Sequence, residues 1–235
     1  MKRFFKQVGI ARHGDEWQVL LDGKPIRTPL RRTLALPTEA LARAVAVEWE
    51  GQDEELQPAT MRVTRLATTS VDLMPERRQP AIRQVMDYLG TDMLCYRASD
   101  PRDLAQRQDE AWQPWLDWLA GAFDVRLPVH RTVLPQEAPA GAEERLLPVV
   151  EALDGWQLVA LHAAVTITHS LVLGLAMMEA VLPADEAFEV AQLDTLYQVE
   201  HWGEDPEITR RHAGLRAELE AVERFVQALA PPLRM

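Results

Sequence analysis

The chain has 235 residues, 47% of them hydrophobic and 26% charged, and a net charge of −11. It is long enough to bury a sizeable core, and its negative field argues against nucleic acid as a partner and for a basic patch on a protein. Cys95 is the single cysteine, which excludes an intramolecular disulfide and fits a reducing compartment.

Residues 1–9 are basic but lack an apolar stretch and a small-residue cleavage site, so a bacterial, cytoplasmic location is expected. A strand is expected over 4–11 and another over 17–21. Asp22-Gly23 signals a tight turn, with a return over 24–28. Pro25 and Pro29 cannot donate to a ladder, which makes the return an edge or irregular. A short strand over 33–36 follows. Thr38 is placed to cap a helix, with Glu39 in its first turn. Leu41, Val45, Glu48 and Gln52 fall near one another at helical spacing, beside Trp49.

The remainder reads as helical: 62–73, 80–89, then a helix capped by Asp100 with Pro101 at its first position, running to about Gly121. Pro114 should kink or break it. Residues 127–142, with Pro128, Pro135, Pro139 and Gly141, read as a loop. Helices follow over 143–153, 157–181, 185–202 and 206–229. The expected fold class is α+β, with a β-rich N-terminal domain over 1–75 and a helical domain over 76–235. Residues 155–178 carry no Asp, Glu, Lys or Arg, a length that could span a bilayer. Their polar residues, Gln157, His162, Thr166, Thr168, His169 and Ser170, favour a buried helix or helix pair instead.

Phosphate-cradling, dinucleotide, zinc-protease and nucleophile-elbow motifs are all absent from the sequence. Cys95, between Leu94 and Tyr96, reads as a buried apolar residue. His162 and His169 are two helical turns apart, too far for one zinc ion on a straight helix. Trp112, Trp115 and Trp118 drift around their helix, so at least one should approach the surface.

The segment Gln192-Leu-Asp-Thr-Leu-Tyr-Gln-Val-Glu-His-Trp-Gly-Glu-Asp205 stands out. It carries Asp194, Glu200, Glu204 and Asp205 around Trp202 and Gly203. If one helix runs from 185 to 202, Glu186, Glu189 and Glu200 share a narrow arc. Gly203 suits its C-terminus and Asp205-Pro206 the next N-terminus. Glu200 sits at the wrong end of the helix dipole, so local stability does not account for it. The residue types suit either a partner contact or acid/base chemistry.

Taken with other blocks, this segment resembles the C-terminal signature of the ATP12 family, assembly chaperones for the F1 sector of ATP synthase. The blocks are Arg3-Phe4-Phe5-Lys6, Leu21-Asp22-Gly23-Lys24-Pro25, Leu36-Pro37-Thr38, Val47-Glu48-Trp49 with Gln52, Pro58 with Met61, and Asp87-Tyr88 with Thr91-Asp92. Arg62 and Pro206 depart from the family pattern. The resemblance implies a chaperone, not an enzyme, that binds the free α subunit of F1 and prevents its aggregation until the β subunit replaces it. No cofactor or membrane insertion is implied, and the free protein is expected to be monomeric. The expected partner-binding residues are Glu200, Trp202, Glu204 and Asp205, with Trp49 and Glu48 on the same surface or at the seam between domains; the seam is the preferred place for Trp49. The alternatives are a metal-dependent hydrolase using the carboxylates around Trp202, with Asp92 or His169 converging on Glu200, and a scaffold that self-associates through the tryptophan row.

Overall fold

A computed structural model describes residues 1–229 except Val133, Pro135 and Glu137; the expected loop proline Pro135 therefore lies outside the described residues. The chain opens with a small antiparallel sheet and continues as helices. Strand β2 (Glu16–Leu21) is its centre. Strand β1 (Val8–His13) pairs along its whole length, Val8 opposite Leu21 and His13 opposite Glu16. The two-residue strands β3 (Lys24–Pro25) and β4 (Ala35–Leu36) pair with opposite ends of its other edge. Asp22 and Gly23 both take positive φ, 48° and 79°, the geometry of a type I′ turn, whose twist matches the flanking strands. The Asp22 carboxylate also accepts the backbone N–H groups of Lys6 and Gln7 at 2.8–3.2 Å. The first strand is shorter than expected: residues 4–7 lie outside it, held by that carboxylate.

Helix α1 (Glu39–Glu50) lies against the sheet and buries Leu41, Ala42, Val45 and Ala46. Thr38 caps it, accepting the Leu41 N–H at 3.1 Å. Helices α2 (Arg62–Asp72) and α3 (Met74–Met86) follow with only Leu73 between them. Pro75 sits in the first turn of α3, so the expected helix starting at Pro80 begins a turn and a half earlier. The expected domain boundary thus falls inside one helix. A continuous apolar core includes residues from Phe5 to Ala228 on both sides of it.

Helix α4 (Arg102–Phe123) runs through Pro114 without a break, and its N-cap is Pro101, one residue later than expected. Helix α5 (Ala142–Ala152) precedes the apolar stretch. That stretch is a helix pair, α6 (Gly155–Thr168) and α7 (Leu171–Met178), divided where His169 takes φ +54°. Ser170 caps α7 through the Leu173 N–H. A Cβ on Gly174 would come within 2.5 Å of the Val165 side chain, so the two helices touch through a glycine. No helix of the described residues is long and apolar enough to cross a membrane.

The expected helix over 185–202 is two helices, α8 (Ala184–Ala191) and α9 (Leu193–Trp202), broken at Gln192. The last helix of the described residues is α10 (Pro206–Ala228), which packs against α1, α2, α6 and α8. At its C-terminal end the Thr38 hydroxyl donates to the Ala228 carbonyl; further back, Arg62 and Arg65 pair with Glu218.

Candidate functional site: the corner between α9 and α10

Helix α9 is fastened to the first half of α4 along one face. Asp194 accepts from buried Gln108 at 2.6 Å, and the Tyr197 hydroxyl donates to Asp103 at 2.8 Å. One turn on, Glu200 meets Arg107 at 2.5 Å. Asp194, Tyr197 and Glu200 recur at spacings of three, which puts them on one stripe of α9. Their partners Asp103, Arg107 and Gln108 form the matching stripe of α4. Tyr197 stacks on the His201 ring at 4.0 Å between centroids, and the Arg107 guanidinium lies 5.3 Å from the tyrosine ring. The hydrogen bond from Tyr197 holds the Asp103 carboxyl below its ordinary range. The Glu200 carboxylate acts in the opposite sense on Arg107, raising its pKa.

Beyond this clamp the chain turns a free corner. Trp202, the last residue of α9, is 77% exposed. Gly203 follows with φ +91°, a conformation strained for any other residue. Glu204 is exposed, and among the described residues it has no ion-pair or hydrogen-bond partner. Asp205 caps α10 by accepting the Glu207 N–H at 2.6 Å and the Ile208 N–H at 3.4 Å. The corner thus presents an indole and a free carboxylate on a support anchored at both ends.

The structure brings four of the six expected residues together here and places the other two elsewhere. The break at Gln192 separates α8 from α9, so Glu186 and Glu189 do not continue the Glu200 arc. Glu189 and Asp185 instead hold Arg216 of α10. The Glu48 carboxylate accepts the Val63 and Thr64 N–H groups at 2.8 and 2.7 Å, satisfying the first turn of α2. Trp49 packs inside the N-terminal part, edge-on to Phe5 at 5.6 Å, and not at a seam. Arg62, next to Val63, pairs with Glu218, thirteen residues along α10 from Asp205; at 1.5 Å per helical residue, the start of α2 that Glu48 caps is tied to α10 at a point on the order of 20 Å along it from the corner. Sequence reasoning missed Asp103 and Arg107, whose i, i+4 spacing on an amphipathic helix was the only available signal.

The other candidates are structural. Asp92 is fully buried and accepts the Ser170 hydroxyl and the Leu94 and Val172 N–H groups at 3.0–3.2 Å; burial pushes its carboxyl up to about 6. Burial likewise pushes the Cys95 thiol up to about 12. His162 bonds Gln84 at 3.0 Å, and His169 occupies the break between α6 and α7. Neither Asp92 nor His169 converges on Glu200. Among the described residues no three His, Cys, Asp or Glu side chains are grouped to hold a metal ion. Trp112 is 1% exposed and donates to the Val190 carbonyl at 3.0 Å, while Trp115 and Trp118 are partly buried against the core.

Residues 2–120 match the family described as ATP12 chaperone protein. The solved structure of Atp12 from Paracoccus denitrificans is 36% identical, with a TM-score of 0.90 over 97% of this chain and 98% of that one. The Atu1473 protein of Agrobacterium tumefaciens is 33% identical, with a TM-score of 0.92 over 97% of this chain and 86% of that one. The mitochondrial protein atp12 of Schizosaccharomyces pombe is 23% identical over 218 residues, 86% of this chain and 74% of that protein.

Proposed function

The chain belongs to the family of ATP12 chaperone proteins, and from that premise we propose that it binds the unassembled α subunit of the F1 sector of ATP synthase, holding it until the β subunit takes its place. The corner between α9 and α10 is the proposed contact. The observation that carries this reading is the exposure of Trp202, 77%. A tryptophan side chain left in water is a standing interface anchor. Covering the exposed part, on the order of 170 Å², contributes roughly 4 kcal/mol before the costs of association. Glu204 supplies a carboxylate with no internal partner to satisfy first. Glu200 sits in an exposed ion pair with Arg107, and exchanging one exposed partner for another costs little. Asp205 holds the corner by capping α10. Contacts led by carboxylates give fast, salt-sensitive capture of a basic surface, as a chaperone that must later release its client requires.

Two other readings fit less well. A metal centre needs ligands from several elements, and the carboxylates of the corner point to α4, to the α10 cap or to solvent. Self-association through the tryptophan row would have to use Trp115 and Trp118, which are partly buried against the core, because Trp112 is fully inside it.

The test is capture of free F1 α subunit by immobilised chaperone. The Trp202→Ala and Glu204→Lys variants should fold as the wild type does and bind roughly tenfold or more weakly. Undiminished capture by both would remove the corner from the interface. Failure of the wild-type protein to bind F1 α at all would remove the partner.

A further inference from the structure

The N-terminal sheet departs in charge from the rest of the molecule. Residues 1–36 hold eight Lys or Arg and three Asp or Glu, a net of +5 in a chain whose total is −11. On this segment, with Trp49 of α1, lies a groove of about 350 Å³; Glu50, Asp53, Glu54 and Glu55 line a neighbouring pocket on the other side of Phe5. The walls of the groove are aromatic: Phe5 meets Phe4 and Trp49 edge to face, at 5.5 and 5.6 Å between centroids. Leu21 and Ile26 add buried aliphatic surface. Phe4 is 63% exposed and the indole N–H of Trp49 has no acceptor among the described residues.

The rim carries Lys24 and Arg27, both exposed. Arg27 donates to the Thr33 hydroxyl, and among the described residues neither cation has an acidic partner. The one acidic side chain on the rim, Asp22, is turned to the Lys6 and Gln7 N–H groups, which hold its carboxyl low. An exposed phenylalanine over an aromatic groove is an anchor site for an apolar side chain. Unpaired cations beside it select carboxylates on the flanks.

We propose that this groove is a second docking site, taking a client segment in which acidic side chains flank an apolar one. It is opposite in sign to the corner at Trp202 and takes a different part of the client. Nothing in this assignment depends on the corner being the α-subunit contact.

The experiment uses the full chain and two short fluorescein-labelled peptides, each with Leu-Phe at its centre, one flanked by Glu and Asp and the other by Lys and Arg. Fluorescence anisotropy at low salt should show the acidic peptide binding more tightly than the basic one. Binding should fall roughly tenfold in the Lys24→Glu, Arg27→Glu double variant and roughly fivefold in Phe4→Ser. All three positions are exposed, and Phe4→Ser changes no charge, so it separates the groove from general electrostatic attraction. A Trp202→Ala variant should bind the acidic peptide as the wild type does, which distinguishes failure of this site from failure of the corner. Equal affinity for the two peptides, unchanged binding in Phe4→Ser, or no binding of the acidic peptide to the wild type would each overturn the proposal.

Discussion

Replacing Glu48 by alanine should cost stability and leave client capture per folded molecule unchanged. The carboxylate crosses from the end of α1 to accept two N–H groups in the first turn of α2, at 2.8 and 2.7 Å. The residue in the N-cap position, Met61, offers no side-chain oxygen, so Glu48 is the cap that α2 would otherwise lack. Val63 and Thr64 are both buried, and water cannot fully replace the lost acceptor. A missing cap costs about 1 kcal/mol, leaving shielded donors unpaired adds about 1–3 kcal/mol, and losing a negative charge at a helix N-terminus adds about 0.3–1 kcal/mol. These overlap, so the expected loss is about 3 kcal/mol, or roughly 6–12 °C in Tm for a chain of this size. Glu48→Gln, which keeps one acceptor oxygen, should lose about half of that. Urea unfolding of the three proteins, paired with F1 α capture normalised to folded protein, checks both parts. Wild-type stability in Glu48→Ala combined with lost capture would refute the capping role and return Glu48 to the docking surface.

Three further outcomes are expected. Asp92 is raised to about 6 by burial, so its protonated form favours the folded state: the contribution is full below the unfolded pKa near 4 and is lost as pH rises through about 6. The shift of about two pKa units corresponds to roughly 3 kcal/mol. The unfolding free energy of the wild type relative to Asp92→Asn should therefore fall by up to that amount between about pH 4 and pH 7, and a flat difference would contradict the assignment. Gly174→Ala should destabilise by about 1–3 kcal/mol, because the added methyl meets Val165 at 2.5 Å; an unchanged denaturation midpoint would mean that α6 and α7 part freely. Glu200→Lys places a cation against Arg107, with which Glu200 now pairs in the open. It should change stability by about 1 kcal/mol or less while weakening capture of F1 α, and a large stability loss with capture intact would make Glu200 a fold residue.

Much of the helical framework was legible because its ends carry chemical labels. Thr38 and Asp205-Pro206 start their helices as their residue types are built to do, and Asp22-Gly23 turns the hairpin in the same way. Prolines misled where sequence reasoning treats them as breakers. Pro114 lies on the exposed face of α4, where the carbonyl it displaces can turn to water, and the helix continues. The break at Gln192 has no capping signature, so the acidic arc drawn through it was a consequence of assuming one helix. The site was half legible. A tryptophan between carboxylates beside glycine marks an exposed corner whatever the fold. What holds that corner is not legible, because Arg107 and Glu200 are 93 residues apart. Glu48 was misplaced for the same reason: its partners are backbone groups of another helix, and no spacing rule reports a side chain that caps a helix it does not belong to.

The two proposed surfaces would make the distribution of charge matter more than its total. An acidic chain draws basic surfaces toward it from any direction, but the basic sheet turns that attraction into an orientation. A client with segments of both signs lowers its energy only when the acidic corner and the basic groove each face their complement. The segments linking Trp49 to the corner, α1, α2 and α10, share one apolar core, so the separation of the two proposed sites is held by packed helices. Two modest contacts at a fixed separation hold a client far more tightly than either alone, and losing one makes the other easy to leave. Exposed charges and half-covered aromatics are the right materials for that arrangement. On the proposed reading each contact would be weak enough to be displaced, and displacement of the first would loosen the second.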